Sequence, residues 1–220
     1  MDLQVDTPSG PVPARIEGEG EPAVLLATGA GTGQDHPGMV GLRTRLTTRG
    51  MTVMTFEYAY RAAGRSFPDR PDRLLEVHAA ASSHLQQVTG SVPVLAGRSM
   101  GGRIATMLAA RGEPCLAVVA YGYPLHPAGK PESLRIDHLV EVAVPLLLIT
   151  GTNDALARSD LVERHLVPLP TATVTLVEDA NHSFRRKGTS PDDMLDHLAD
   201  ITEHWLRGLP GLGESPHIRP

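Results

Sequence analysis

The chain has 220 residues, of which 41% are hydrophobic, with 22 Gly and 19 Pro: enough for one turn-rich domain with a full core, and too apolar for disorder. Twenty Lys and Arg against 25 Asp and Glu leave a net charge of −5, so no global basic field draws a nucleic-acid partner. The longest apolar run, residues 142–149, falls far short of the ~20 residues of a membrane-crossing helix, and a single cysteine, Cys115, excludes an intrachain disulfide and a multi-thiolate zinc site.

In chain order, two short extended segments before Glu21 are expected to form an antiparallel hairpin at a sheet edge. Residues 23–27 are a continuous apolar strand, followed by a helix over 37–49 that Gly50 closes. A strand over 51–57 leads to a helix over 71–88, with Pro71 in its first turn and Gly90 at its end. A strand over 92–96, a helix over 100–111 and strands over 116–121 and 145–150 follow. A helix over 159–166, a strand over 173–177 and a helix over 191–206 complete the pattern. Continuous Val-, Leu- and Ile-rich strands alternating with helices predict an α/β fold: a mostly parallel sheet with helices on both faces. The expected domain is residues 1–208, with 209–220 a loose Gly- and Pro-rich tail. The start, MDLQVDTPSG, lacks the features of a secretory signal, which points to the cytoplasm.

Ligands of such sheets bind beyond the carboxyl ends of the strands. There, Gly97-Arg98-Ser99-Met100-Gly101 matches G-x-S-x-G at a strand-to-helix turn, and Gly102 follows. A sharp turn of this kind lifts a serine hydroxyl clear of the sheet, and glycines let strand and helix pass closely. A Gly-rich connection whose serine only caps a helix is the competing reading. Asp154, just past the 145–150 strand, and His182, in the loop after 173–177, complete the order Ser…Asp…His. In that arrangement the histidine takes the serine proton and the aspartate fixes the imidazole tautomer. Asp154 also suits a turn, and Asp160 and Asp179 are rival acids. His78, His84, His165, His197 and His204 fall on helices and read as solvated. An oxyanion hole would take one donor from the N–H of Met100 and another from the 28–33 loop, assigned to Ala30 with Gly31 as alternate.

These residues, with the segments LLATGAGTGQDHPGM, GRSMGG, YGYPLHP, LLLITGTND and ANHSF, resemble the α/β-hydrolase superfamily from about residue 21 to 206. Among its branches, the chain looks like the small, capless, dienelactone-hydrolase-like group. The resemblance implies Ser99 as nucleophile, Asp154 as acid and His182 as base. Many members carry His-Gly before the oxyanion residue, and here Thr28 stands in that histidine's place. Dienelactone hydrolases use a cysteine nucleophile where this chain has serine, so their substrate does not carry over. Between Tyr123 and Pro145 there is room for one loop and one short helix, not for a lid. The expected cleft is therefore open, bordered by Met100, Tyr123, Leu125, Phe184 and the 31–39 loop, with ordinary packing the competing reading for each. Tyr58, Tyr60 and Arg61 are further candidates for its wall.

The sequence thus predicts a serine hydrolase of carboxylic esters, with thioesters and amides as alternatives, working on a small acyl substrate through an acyl-enzyme. It predicts no cofactor, no metal, and no nucleic-acid or membrane partner, and leaves the oligomeric state open. A non-catalytic binding protein on the same fold is the first alternative. A dinucleotide-binding unit is the second, from Gly29, Gly31 and Gly33 with Glu57 ending the next strand, but Gln34 occupies the place of the last glycine. Arg185, Arg186 and Lys187 beside His182 read as a solvated loop, with acidic substrates as the other reading.

Overall fold

The computed structural model describes residues 1–212, so residues 213–220 of the expected tail lie outside the described residues. Leu209 and Leu212, at that tail's start, pack against the core. At the amino end β1 (Asp2–Val5) and β2 (Val12–Glu17) form the antiparallel hairpin. They are followed by β3 (Ala23–Ala27), α1 (Pro37–Thr48), β4 (Thr52–Phe56), the short α2 (Ala59–Ala62) and α3 (Pro71–Thr89). Then come β5 (Val94–Arg98), α4 (Met100–Ala110), β6 (Val118–Tyr121), β7 (Leu146–Gly151), α5 (Ser159–His165), β8 (Ala172–Val177) and α6 (Pro191–Arg207). Among the described residues these strands make one eight-stranded sheet, in the order β1-β2-β4-β3-β5-β6-β7-β8. The pairs from β4 through β8 are parallel, and β2 joins β4 antiparallel.

Side-chain alternation divides the central strands between two cores. Val24 and Leu26 of β3, with Val53, Val94, Val119 and Leu147, meet Met39, Leu42 and Leu46 of α1 and Met194 and Leu198 of α6. Leu25, Met54, Leu95, Val118 and Leu146 point the other way, onto Leu74, Ala81 and Leu85 of α3 and Ile104 and Leu108 of α4. Both faces are covered, which explains why these strands read as unbroken apolar runs. The helices start where their sequences say. His36 accepts the Gly38 N–H with Pro37 in the first turn, and Ser190 accepts the Asp193 N–H ahead of Pro191.

One histidine departs from expectation. His84 and His165 are half-buried and His197 and His204 exposed, whereas His78 is fully buried. It lies on the same stripe of α3 as Leu74, Ala81 and Leu85, four residues after the first and three before the second, so the helix turns it inward. Its Nδ1 is 3.0 Å from the Tyr58 hydroxyl, and burial pulls its pKa down to about 3.

The order of strands also places the site. The chain winds from β3 to β4 on one side and then crosses back to β5 on the other, so β3 and β5 are neighbours, with Ala27 beside Gly97. A crevice opens at such a reversal. The loop after β3 and the turn after β5 therefore stand side by side.

Candidate active site

Ser99 sits between β5 and α4 with φ 48° and ψ −111°, a conformation that L-residues rarely adopt. The surrounding glycines make this turn sterically feasible. A Cβ on Gly97 would run into the backbone of Gly101 and Gly102, one on Gly101 would stand 2.6 Å from the Thr28 carbonyl oxygen, and one on Gly102 would stand 2.7 Å from that of Gly97. Close passage of β3, β5 and α4 thus fixes where the serine hydroxyl emerges.

The loop after β8 carries His182 to that hydroxyl. Asn181 Oδ1 accepts the N–H groups of Ser183 and Arg185, both at 3.0 Å, and ties the loop into a tight turn. Gly122, past β6, has φ 65° and leaves room for the imidazole, since a Cβ there would lie 3.5 Å from ring atoms of His182. The loop after β7 delivers Asp154, and the two loops are fastened together where Asn153 N–H donates to the Ala180 carbonyl at 2.9 Å. His182 Nε2 stands 2.9 Å from Ser99 Oγ. Its Nδ1 stands 2.8 Å and 3.0 Å from the two Asp154 carboxylate oxygens. The Asp154 side chain is wholly buried, and its Oδ1 also accepts the Leu156 N–H at 2.7 Å. A buried carboxylate facing Nδ1 fixes that nitrogen as the donor and leaves Nε2 to accept from the serine. The rival acids stand elsewhere. Asp160 is held by Arg158 at 2.8 Å, and Asp179 is exposed, at φ 56°.

The loop 29–34 lies against this row; a Cβ on Gly29 would be 3.8 Å from that of Ser99. Among the described residues no backbone acceptor takes the N–H of Ala30 or Gly31. The N–H of Met100 opens α4, where a helix leaves its donors unpaired. Two residues brace the loop from below. Tyr60, fully buried, donates its hydroxyl to the Ala30 carbonyl at 2.8 Å, and Glu57 Oε1 accepts the Gln34 N–H at 2.7 Å. Burial raises the pKa of Glu57 against the effect of that hydrogen bond. Neither role was expected. Tyr60 was a candidate wall residue, and Glu57 belonged to the dinucleotide reading, whereas its carboxylate holds protein backbone.

A cavity of about 900 Å³ opens beside Ser99 and His182, bounded by Gly29–Thr32, the start of α1, the loop after His182 and the start of α6. Phe184 lines it, as does part of the 31–39 loop. Tyr123 and Leu125 do not. Both are buried in the α3–α4 core, because the segment after β6 folds back: Tyr123 donates its hydroxyl to the Arg135 carbonyl, and Arg135 N–H donates to the Leu125 carbonyl at 2.8 Å. The Met100 side chain packs against that same core, outside the cavity wall. Tyr58 is likewise buried, against Phe56 and His78. Between β6 and β7 there is only a 3-10 turn, Asp137–Glu141, so nothing there roofs the cavity.

A sequence family described as an alpha/beta hydrolase domain matches residues 20–207. The chain belongs to the alpha/beta hydrolase family. It is a hydrolase, and among the described residues no lid is inserted between β6 and β7. Its fold is shared by an α/β serine hydrolase without lid from Xanthomonas campestris, at 22% identity over 98% of this chain and 96% of that one, with a TM-score of 0.76. An α/β serine hydrolase homologue from Coxiella burnetii matches at 16% identity over 94% and 97%, with a TM-score of 0.74. A dienelactone hydrolase from Anabaena variabilis matches at 21% over 94% and 95%, with a TM-score of 0.72. At these identities the likeness is one of fold. Among the described residues of this alpha/beta hydrolase, no helix is long and apolar enough to cross a membrane.

Proposed function

We propose that this alpha/beta hydrolase is a serine esterase that cleaves small carboxylic esters through an acyl-enzyme. The observation that carries the reading is the unbroken row of side chains, Ser99 Oγ to His182 Nε2 at 2.9 Å and His182 Nδ1 to Asp154 Oδ2 at 2.8 Å. In this reading Ser99 Oγ attacks the ester carbonyl while His182 Nε2 takes its proton. Asp154 holds the imidazole in its tautomer and offsets the charge it gains. The tetrahedral oxyanion meets the N–H groups of Met100 and Ala30, with Gly31 the alternate donor, and losing one such donor costs roughly 3–4 kcal/mol in other hydrolases. His182 then returns the proton to the departing alcohol. Water enters by the same route in reverse and frees the acid. Phe184 is assigned a place against the substrate, and a cytoplasmic location belongs to the same reading.

A non-catalytic role fits less well, since none of the three positions is replaced and their hydrogen bonds are made. The test is Ser99→Ala. The variant is expected to keep its circular dichroism and melting temperature while losing both fluorophosphonate labelling and ester turnover. Labelling or turnover at the wild-type level in that variant rejects the assignment.

A further inference from the structure

The turn that bears Ser99 also carries a charge that the chemistry above leaves unused. Arg98 lines the cavity together with Ser99 and His182. Its guanidinium reaches the start of α1, where a Cβ on Gly38 would stand 3.0 Å from Nη1. Two other arginines near this face are neutralised by carboxylates. Arg43 holds Glu17 at 2.9 Å, and Arg45 holds Asp192 at 2.9 Å and Asp196 at 3.0 Å. Arg98, on the cavity wall itself, has neither: among the described residues its side chain has no hydrogen-bond acceptor and no carboxylate. Burial lowers its pKa with no acid to oppose the shift. A guanidinium stays charged at any working pH, so a half-buried one without a counterion leaves its electrostatic need to whatever fills the cavity.

The rest of the wall has the same sign. Arg185 and Arg186 stand on the loop after His182, with Arg186 Nε donating to Thr189 Oγ1 at 2.9 Å. The one acid on the wall, Asp192, is the partner of Arg45. The first turns of α1 and α6 also border the space, and helices present their positive ends there.

Resting on the serine-esterase reading, we infer that Arg98 seats an anionic group of the substrate, so that the preferred esters carry a carboxylate a few bonds from the scissile carbonyl. The planar fork of the guanidinium matches a carboxylate in two parallel hydrogen bonds. Its place next to the nucleophile in sequence holds that anion at a set distance from the reacting carbon. Monoesters of short dicarboxylic acids are the simplest members of the class. A charge-assisted pair of this kind corresponds to a preference of about 10- to 100-fold.

The experiment compares monoethyl succinate and monoethyl glutarate with ethyl butyrate and ethyl valerate, followed by pH-stat titration, in the wild type, Arg98→Met and Arg98→Lys. The wild type is expected to favour the charged member of each pair by about tenfold or more in kcat/KM. In Arg98→Met that ratio collapses toward unity or below, whatever the absolute rates. In Arg98→Lys, which keeps the charge but not the fork, part of it survives. Circular dichroism and melting temperature establish that both variants are folded, and the lysine variant carries the test if the methionine variant is not. A wild type that labels with fluorophosphonate and hydrolyses neutral esters without preferring charged ones overturns this inference and leaves the esterase reading standing. So does a preference that Arg98→Met leaves intact. A wild type that neither labels nor hydrolyses either series removes both.

Discussion

Replacing Gly101 with alanine probes a close backbone approach beside Ser99. The added Cβ would stand 2.6 Å from the Thr28 carbonyl oxygen and 2.7 Å from that of Ala27, both backbone atoms that no rotamer change can remove. Parting from 2.6 Å to the 3.4 Å of an ordinary contact moves α4 and the end of β3 apart by about 0.8 Å. Ser99 lies two residues before Gly101, so the same motion stretches its 2.9 Å bond to His182 beyond hydrogen-bond range. It also shifts Met100 relative to Ala30, the two assigned oxyanion donors. A misplacement approaching 1 Å costs on the order of 10² in rate, so kcat/KM is expected to fall by about that factor. Overpacking costs about 1–3 kcal/mol, and alanine in a helix returns about 0.5–1 of it, leaving a net loss of roughly 1–2 kcal/mol. Initial rates on a soluble short-chain ester and urea unfolding measure the two effects separately. Activity within about threefold of wild type, with an unchanged urea midpoint, refutes the reasoning, because the backbones would then have had slack that the contacts deny.

Tyr60→Phe removes the hydroxyl that holds the Ala30 carbonyl at 2.8 Å while keeping the buried ring. We expect kcat to fall about tenfold with KM nearly unchanged and stability lowered by ~1 kcal/mol, and a lowered melting temperature without loss of kcat would reduce Tyr60 to a packing residue. For pH dependence, His78 has its folded pKa drawn down to about 3, and His138 to about 4, both mainly by burial. The unfolded chain binds those protons below pH ~6.5 and the folded chain does not, so stability is expected to decline as pH falls from ~6.5 toward 4. His78→Phe deletes one proton from that difference and flattens the decline by about 1.4 kcal/mol per pH unit, at a cost of roughly 1–2 kcal/mol overall for stranding the Tyr58 hydroxyl. Urea unfolding between pH 4 and 7 checks it, and an equally steep decline in the variant contradicts the assignment.

The strands, their parallel arrangement and the edge hairpin were readable because two buried faces force unbroken apolar runs, a signal contained in each short segment. The order Ser99, Asp154, His182 was readable for a related reason: strand ends mark one rim of such a sheet. What escaped was whatever depended on how a loop turns in space. Tyr123 and Leu125 follow β6 as cleft residues should, yet the chain beyond them doubles back and buries both. His78 looks like any polar helix residue until its phase with Leu74, Ala81 and Leu85 is traced. Tyr60 and Glu57 brace a loop some thirty residues and some twenty residues away in sequence, pairings no local pattern announces. Arg98 fills the variable place in G-x-S-x-G, where the motif says nothing about the side chain.

His182, the proposed general base, hangs from an edge strand of the sheet. Among the described residues β8 has a neighbour on one side only, β7, and much of it is open to solvent, with Leu176 38% exposed. Ser99 and the 29–34 loop issue from β5 and β3, enclosed at the centre. Fraying therefore starts at the margin and takes the imidazole first, while the serine turn remains in place. An ensemble of this shape contains, below its global unfolding, a form that is folded throughout its interior yet chemically disarmed, and the working fraction of the enzyme is governed by the rigidity of its rim more than by the depth of its core.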